Sequence, residues 1–252
     1  MLLTDPERMQ FEKLGVVRLS SRLPQNRTGP IRERIFAEFD RLGLRAGGKL
    51  SSAKLRSLPI FRQIGRLEQM VKIGSELDRL FPDELLAAMG SLMTSPWLRP
   101  ARPHPQLLLS FPHKEAWSLD RLNWHVDKTP TPADEIVAVQ AFVLIDDVAS
   151  RGGATLALAG THKLPYLPGS RGNSARNILG EDPIFASLFG SAGADKEYLW
   201  RPREIRGVPI SIVEMCGRAG DVYLMDMRVL HSPSVNATKA ARMMASLRLV
   251  RP

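Results

Sequence analysis

Hydrophobic residues recur at helical spacing in the first hundred residues of the chain. One apolar stripe, whose members lie on the same side of a helix, consists of Ile31, Ile35, Phe36, Phe39 and Leu42. A second stripe of this kind consists of Phe61, Ile64, Leu67 and Val71. Pro82 is typical of a first helical turn, where the N–H that proline lacks is not needed. The pattern therefore predicts a helical segment that ends before the four prolines of residues 95–105.

Beyond this point the chain consists of short apolar or alternating runs separated by Gly, Pro, Asp or Ser, which is typical of strands joined by turns. The runs are 106–111, 136–145, 154–159, 209–213, 221–225 and 241–250. A long segment rich in Gly, Ser and Arg, 164–206, interrupts them, and long connections often serve as lids or binding loops. We predict one α+β, mainly β domain over residues 1–252. Its helical part (about 1–100) packs on a β-sandwich or jelly roll (about 101–252) that carries a lid-like insertion.

The composition is that of a globular chain with a buried core. Hydrophobic residues make up 44% and charged residues 24% of the 252 residues, so a disordered chain is excluded. No apolar run approaches the roughly 18 residues needed to span a bilayer, and the early acidic residues do not resemble a secretory signal. The single cysteine, Cys216, cannot form an internal disulfide, so we expect a cytoplasmic protein.

The net charge of +9 lies at the two ends of the chain rather than in the middle. Residues 41–66 contain seven basic residues and no acidic one, whereas residues 101–226 contain 13 basic and 15 acidic residues. A basic surface attracts anions. The basic segment is therefore either a solvated surface or an anion-facing patch over a substrate entrance.

His125 and Asp127 are the strongest local candidates for chemistry. They are two residues apart in an extended segment, so their side chains point to the same side. An imidazole and a carboxylate on one face can fill two positions of a divalent metal, and non-haem Fe(II) oxygenases use two His and one carboxylate. A metal site of this kind therefore needs a second His from elsewhere in the chain.

The chain has five histidines, and His231 is the best candidate for this second His. It ends the strand-like run 221–231, and a jelly roll brings early and late strands together. The others have simpler interpretations: His104 and His113 as surface or turn residues, and His162 as a structural residue after a glycine turn.

The segment that begins at His231 resembles the C-terminal motif of the phytanoyl-CoA dioxygenase-like family of Fe(II)- and 2-oxoglutarate-dependent oxygenases. In that family an Asn follows the second metal-binding His by five residues and an Arg by eleven, and here these are Asn236 and Arg242. Residues 142–164 resemble its strand, DDV-x-x-x-x-G loop and turn, and FEKLGVVRL resembles its opening helix and strand. The resemblance spans residues 11–250 and implies a double-stranded β-helix core, as in cupins.

The resemblance also implies a role for each matched residue. His125, Asp127 and His231 would bind Fe(II), and the Arg242 guanidinium would pair with the distal carboxylate of 2-oxoglutarate. With O2 as the second co-substrate, the expected reaction is oxidation of an unactivated C–H bond, most simply hydroxylation, with release of succinate and CO2. Asp127 disfavours halogenation, because related halogenases have a small residue at the carboxylate position. Desaturation, epimerisation and ring formation stay open.

The motif departs from the family pattern after His231, because Pro233 stands where the family has Ser. Ser232 or Ser234 can supply the missing hydroxyl to the co-substrate. Polar residues on inner strands are further candidates, and we assign Gln106 and Thr155 to the co-substrate and Gln140 to the substrate.

The substrate is expected to be a small molecule, for which the resemblance alone names no structure. Candidate contacts are Trp124 and four residues of the insertion, Tyr166, Arg171, Arg176 and Asn177, with the segment from Lys49 to Arg56. Several arginines favour an anionic substrate, and a secondary-metabolite precursor is also compatible. No membrane partner is expected, and the oligomeric state is open.

Two functions of other classes are weighed against the oxygenase. A basic nucleic-acid-binding module rests on the net charge alone, since the chain has no RNA-binding, zinc-finger or basic-zipper motif. A metal-binding cupin-like isomerase or binding protein is compatible with the three ligands, but it does not need Arg242.

Overall fold

The computed structural model describes residues 3–51, 53–93, 98–120, 122–127, 135–165, 174–190 and 196–251. The α-helices in these ranges are α1 (Asp5–Leu14), α2 (Gln25–Arg41), α3 (Ala53–Arg56), α4 (Ile60–Met70), α5 (Asp83–Gly90), α6 (Ser174–Gly180) and α7 (Pro183–Ala186). Short 3-10 helices span Gly74–Leu80, Thr161–Lys163 and Lys196–Trp200. No helix in the described ranges is both long enough and apolar enough to cross a membrane.

The strands form two facing antiparallel sheets and one small hairpin. The strands are β1 (Val16–Leu19), β2 (Arg45–Ala46), β3 (Lys49–Leu50), β4 (Arg99–Pro100), β5 (Gln106–Ser110), β6 (Ala138–Leu144), β7 (Thr155–Ala159), β8 (Arg203–Ile205), β9 (Val208–Glu214), β10 (Val222–Asp226), β11 (Leu230–Pro233) and β12 (Arg242–Val250). The major sheet has the order β1-β10-β6-β12-β4, with β5 also paired to β12, and the minor sheet has the order β11-β7-β9-β8. The predicted α+β, mainly β, double-stranded β-helix fold is confirmed.

The pattern of residues 221–231 predicts one strand, but the structure has two, β10 and β11. β10 belongs to the major sheet and β11 to the minor sheet, so the chain crosses from one sheet to the other between Asp226 and Leu230. The crossing carries His231 from the hydrophobic run into the minor sheet. Alternation alone cannot show such a crossing, because both strands are apolar and buried.

Alternating side chains divide the core into layers. On β6, Val139 and Val143 pack with the N-terminal helices, whereas Phe142 and Leu144 pack between the two sheets. On β7, Leu156 and Leu158 face the opposite outer surface, where they pack with residues of the insertion 164–206. The order of layers is therefore helices, major sheet, minor sheet and insertion, and the metal-ligand candidates lie between the sheets.

The predicted helices are present, with one difference in what they bury. α2 and α4 contain the two apolar stripes, and α5 follows Pro82. Ile64 and Leu67 of α4 are buried, but the Phe61 side chain is 41% exposed and is not a core residue. An apolar stripe predicts which residues share one side of a helix, but not what that side packs against. Phe61 lies at the cavity described below.

The described parts of the insertion cover the outer face of the minor sheet. Leu179 of α6, Phe185 of α7 and Leu199 are buried against Leu158 of β7 and Ile210 of β9. The helices likewise share a hydrophobic cluster with the major sheet. We propose on this basis that residues 1–252 form one domain.

Two motif residues of the family pattern hold loops together at the edge of β5. The Asn236 amide donates to the carbonyls of Ser110 (3.3 Å) and Ala240 (2.8 Å), and its Oδ1 accepts from the Thr238 amide and hydroxyl. Gly153 has a φ of +80°, and a Cβ there would lie 2.8 Å from Asn236 Cβ. The close approach of the two loops requires a glycine at position 153.

Replacing Asn236 is expected to cost stability rather than chemistry. The side chain is fully buried and takes part in four hydrogen bonds, so we expect Asn236→Ala to lower the free energy of unfolding by about 1–3 kcal/mol. Urea denaturation measures the change. The control is Asn177→Ala on α6, expected within about 0.5 kcal/mol of the parent. Equal stability of the two variants would contradict the assignment.

Candidate active site

The two histidines of the predicted metal site are paired directly through their backbones. The His125 N–H donates to the His231 carbonyl (3.0 Å), and the His231 N–H donates to the His125 carbonyl (2.9 Å). Residues that exchange both hydrogen bonds are directly opposite each other in an antiparallel pair, so their side chains project from the same face. The two ring centroids are 4.4 Å apart.

Asp127 completes a cluster of three metal-ligand candidates. One ligand atom from each of His125, Asp127 and His231 lies within 4.8 Å of the others. Asp127 Oδ1 is 3.9 Å from His125 Nε2, and its Oδ2 is 3.5 Å from His231 Nε2. Within the described residues, the structure thus brings together the three side chains that the sequence singles out.

Hydrogen bonds to carbonyl oxygens set the tautomer of both rings. His125 Nδ1 lies 2.8 Å from the Asn123 oxygen, and His231 Nδ1 lies 3.0 Å from the Val229 oxygen. Because a carbonyl oxygen only accepts, each Nδ1 carries the proton, and each Nε2 keeps its lone pair. Both lone pairs are therefore available to a metal, and the donor set fits Fe(II).

The local electrostatics favour the metal-binding protonation states. Burial lowers the pKa of His125, and the neighbouring His231 lowers it further. Burial acts to raise the pKa of Asp127, but its close contacts with His231, Arg248 and His125 lower it overall. At neutral pH the His125 imidazole is neutral and the Asp127 carboxylate is ionised, as a divalent metal requires.

Arg242 is a buried cation without a counter-charge among the described residues. Its side chain is fully buried at the start of β12, and its Nε and Nη2 atoms have no hydrogen-bond partner among the described residues. Burial lowers the pKa of the guanidinium to about 10, so the group still carries its charge at neutral pH. A buried unpaired charge is costly. The arrangement therefore favours an anionic ligand beside Arg242.

One cavity of about 280 Å³ connects these groups. His125, His231 and Arg242 line it, together with the polar candidates Gln106 and Gln140 of the major sheet and Thr155 of the minor sheet. The remaining lining residues come from α4 and from the strands: Phe61, Ile64, Gly65, Glu68, Leu108, Phe142, Pro233 and Arg248. Two of the metal-ligand candidates, the Arg242 guanidinium and several polar side chains thus share one cavity.

A family model, phytanoyl-CoA dioxygenase (PhyH), matches residues 70–244 of the chain, including all three ligand candidates and Arg242. The chain belongs to the PhyH family. PhyH enzymes are oxygenases that depend on Fe(II) and 2-oxoglutarate. No curated protein matches the sequence significantly.

Solved structures with the same fold are distant in sequence. The carbocyclase SnoK from nogalamycin biosynthesis, a non-haem α-ketoglutarate-dependent enzyme, is 16% identical with a TM-score of 0.61, over 98% of this chain and 84% of SnoK. AviO1 from Streptomyces viridochromogenes Tue57 is 17% identical with a TM-score of 0.59, over 100% and 96% of the two chains. HygX from Streptomyces hygroscopicus, crystallised with nickel and 2-oxoglutarate, is 15% identical with a TM-score of 0.55, over 98% and 87%. At these identities the likeness shows the fold alone.

The PhyH motif does not single out Arg248, which contacts the metal-ligand carboxylate. Arg248 Nη2 lies 2.6 Å from Asp127 Oδ2. It follows Arg242 by six residues on β12, and this even spacing places both side chains on the inner face of the strand. The spacing alone could have identified Arg248 as a cavity residue. Its ion pair orients Asp127 and helps to keep it ionised.

The two serines that flank Pro233 do not line the cavity. Ser232 donates to the Pro233 carbonyl (3.1 Å) and Ser234 to the Ala154 carbonyl (2.8 Å). Side chains alternate on β11, so His231 and Pro233 line the cavity and the serines do not. The expected contact of Ser232 or Ser234 with the co-substrate therefore has no support in the structure.

Most of the expected substrate contacts lie elsewhere. Trp124 is buried in the cluster under the insertion and does not line the cavity. Arg176 and Asn177 border a separate surface cavity, where the Arg176 guanidinium lies over the Phe189 ring. Trp124, Arg176 and Asn177 are therefore not candidates for substrate contact at this cavity. The other two insertion residues, Tyr166 and Arg171, lie outside the described residues.

Lys49 and Arg56 of the basic segment do not line this cavity, although Phe61, Ile64 and Gly65 at the end of that segment do. Lys49 and Arg56 line a different cavity of about 580 Å³, with Phe36 of α2 and Lys239.

The three other histidines have structural partners. His104 pairs with Asp78, and the rings of His113 and His162 contact the carbonyls of Leu58 and Glu12. His113 is almost buried, so it is not a surface residue.

Proposed function

We propose that this PhyH protein hydroxylates an unactivated C–H bond of a small molecule, with His125, Asp127 and His231 as Fe(II) ligands and Arg242 as the 2-oxoglutarate anchor. The observation that supports the proposal best is a cluster of three ligand atoms within 4.8 Å, two of them from residues that line the same cavity as a buried guanidinium without a hydrogen-bond partner for Nε and Nη2 among the described residues. A metal-binding isomerase has no need for such an arginine.

The residues of the cavity suit this reaction. Fe(II) with 2-oxoglutarate would supply the activation of O2 for attack on a C–H bond, with release of succinate and CO2. Asp127 occupies the carboxylate position, and Arg248 keeps it oriented. Arg242 orients the co-substrate by pairing with its distal carboxylate. Leu108, Phe142 and Pro233 provide apolar walls that exclude water from the reacting groups.

Anaerobic addition of Fe(II) and 2-oxoglutarate tests the proposed function. We expect a metal-to-ligand charge-transfer band that neither component gives alone with the protein, because the cavity holds both. On admission of O2, slow formation of succinate should follow even without a substrate. Succinate in place of 2-oxoglutarate is the control, since it lacks the keto acid that chelates the metal. Absence of the band would refute the assignment.

The product decides between hydroxylation and the other reactions. Hydroxylation adds one oxygen atom to the substrate, whereas ring closure or desaturation removes hydrogen and epimerisation leaves the mass unchanged. Two of the structural neighbours are a carbocyclase and an epimerase, which shows that the fold is compatible with these outcomes. Mass spectrometry of substrate and product therefore tests the reaction type separately from the dependence on 2-oxoglutarate.

A further inference from the structure

One face of α4 forms a wall of the cavity. Phe61, Ile64, Gly65 and Glu68 line it, at the i, i+3, i+4 and i+7 positions that share a side of a helix. Ile64 is buried and belongs to the hydrophobic core. Phe61, Gly65 and Glu68 have no role in holding the metal or 2-oxoglutarate on the proposed function, so they are candidates for contact with the substrate.

Phe61 presents an apolar ring next to the metal site. Its side chain is 41% exposed although the residue is large and aromatic, and its ring meets that of His125 edge-on at 5.6 Å. At Gly65, one turn along the helix, an added Cβ would meet no atom within 4 Å. The helix thus offers an aromatic surface and leaves open space beside it.

Two polar groups on the walls, Glu68 and Gln140, offer hydrogen-bond acceptors. Glu68 accepts from the Gln106 amide at 2.9 Å and is 3.5 Å from the rim residue Arg102, so its carboxylate is held in place. Gln140 is buried, and its Oε1 has no hydrogen-bond partner among the described residues. A buried acceptor without a partner is unfavourable, so a ligand with a donor group fits this position.

Among the described residues that line the cavity, no cation remains free for an anionic substrate. On the proposed function Arg242 is taken by 2-oxoglutarate, and Arg248 is paired with Asp127. Arg176, one of the arginines that favoured an anionic substrate, lies at another cavity. Glu68 carries the negative charge on this side of the cavity, and its 3.5 Å pair with Arg102 offsets that charge only in part.

We propose that the substrate presents hydroxyl or ammonium donors to Glu68 and Gln140 and packs an apolar ring against Phe61, in the space beside Gly65. This inference deepens the proposed function, on which it rests for the assignment of Arg242 to 2-oxoglutarate. It replaces the expectation of an anionic substrate. Hydroxyl and ammonium substrates share the feature that this site would recognise, which is an O–H or N–H donor next to a saturated ring or chain.

Three probes of one shape test the proposal with the metal-free protein in excess 2-oxoglutarate, which on the proposed function occupies Arg242: cyclohexanol, cyclohexylammonium and cyclohexanecarboxylate. Ligand-observed NMR measures their binding in the millimolar range. We expect the two donor probes to bind and the carboxylate to bind at least about tenfold more weakly, because Glu68 attracts donors and repels anions. The comparison of cyclohexanol with cyclohexylammonium shows which donor is preferred. Failure of both donor probes, or tighter binding of the carboxylate, overturns the proposal.

The variant Glu68→Gln tests the carboxylate itself. It should weaken cyclohexylammonium about tenfold and cyclohexanol about twofold, because a charge-assisted hydrogen bond is roughly twice as strong as a neutral one. The control is Glu84→Gln, which neutralises an exposed glutamate in the first turn of α5 that does not line the cavity. Equal loss in the two variants, or no loss in Glu68→Gln, contradicts the role of Glu68.

The variant Gly65→Leu tests the location. A leucine there enters the open space, so we expect binding of all the probes to be lost. Leucine is a better helix former than glycine, so the melting temperature should stay the same or rise, which separates blockage from misfolding. Binding that survives Gly65→Leu places the probes elsewhere and overturns the proposal.

These outcomes are distinguishable from failure of the proposed function, because probe binding needs no metal. Glu68-dependent binding without a charge-transfer band would reject the oxygenase and keep the donor-recognition site. A charge-transfer band without Glu68-dependent binding would keep the oxygenase and reject this inference.

Discussion

The variant His231→Ala is expected to lose the charge-transfer band with Fe(II) and 2-oxoglutarate and to lower metal affinity by more than about 100-fold. Changes to residues that merely hydrogen-bond a metal ligand already cost about 10- to 100-fold, and on the proposed function His231 supplies a ligand atom itself. Without the His231 imidazole, only His125 and Asp127 would remain as ligands, and two ligands should bind the metal much more weakly than three. Isothermal titration with Co(II), followed by the Fe(II) spectrum, measures both effects.

The fold should survive this substitution. The bridge between His125 and His231 is made by backbone groups, which alanine keeps. The circular dichroism spectrum of the variant should therefore match that of the parent. The control is His104→Ala, which removes an exposed imidazole paired with Asp78 and should leave metal binding unchanged. A band of normal intensity in His231→Ala would refute the ligand assignment.

The variant Arg242→Met should separate binding from stability. It removes a buried, unpaired charge while it keeps an unbranched side chain, so the melting temperature is expected to stay the same or rise. The affinity for 2-oxoglutarate is expected to fall about 100-fold, because truncating one partner of a buried charge pair costs about 3 kcal/mol. Titration of the charge-transfer band with 2-oxoglutarate measures the dissociation constant.

A purely structural arginine would behave in the opposite way. Its removal would lower the melting temperature and leave 2-oxoglutarate affinity intact. The variant Arg242→Lys keeps the charge but not the planar fork of donors, so it should recover only part of the affinity. Unchanged affinity in Arg242→Met would favour the isomerase or binding-protein alternative, which does not use this residue.

The sequence alone determined the features that repeat along the chain or sit at fixed offsets. Helical spacing located α2 and α4, and alternation located β5, β6, β7 and β12, because these patterns reflect local geometry. The His-x-Asp spacing and the offsets from His231 to Asn236 and Arg242 identified the candidate site residues and the family. Periodicity and fixed offsets depend only on residues that are close together in the chain, so the sequence alone records them.

Only the tertiary structure decided which side of each element faces the site. The crossing from β10 to β11 places His231 opposite His125, and the alternation that follows turns Ser232 and Ser234 away. Phe61 lies at the cavity rather than in the core, because the packing of α4 against β5 determines what its stripe meets. Arg248 reaches Asp127 through the pairing of distant segments. Contacts of this kind depend on how layers stack, and no local pattern records that stacking.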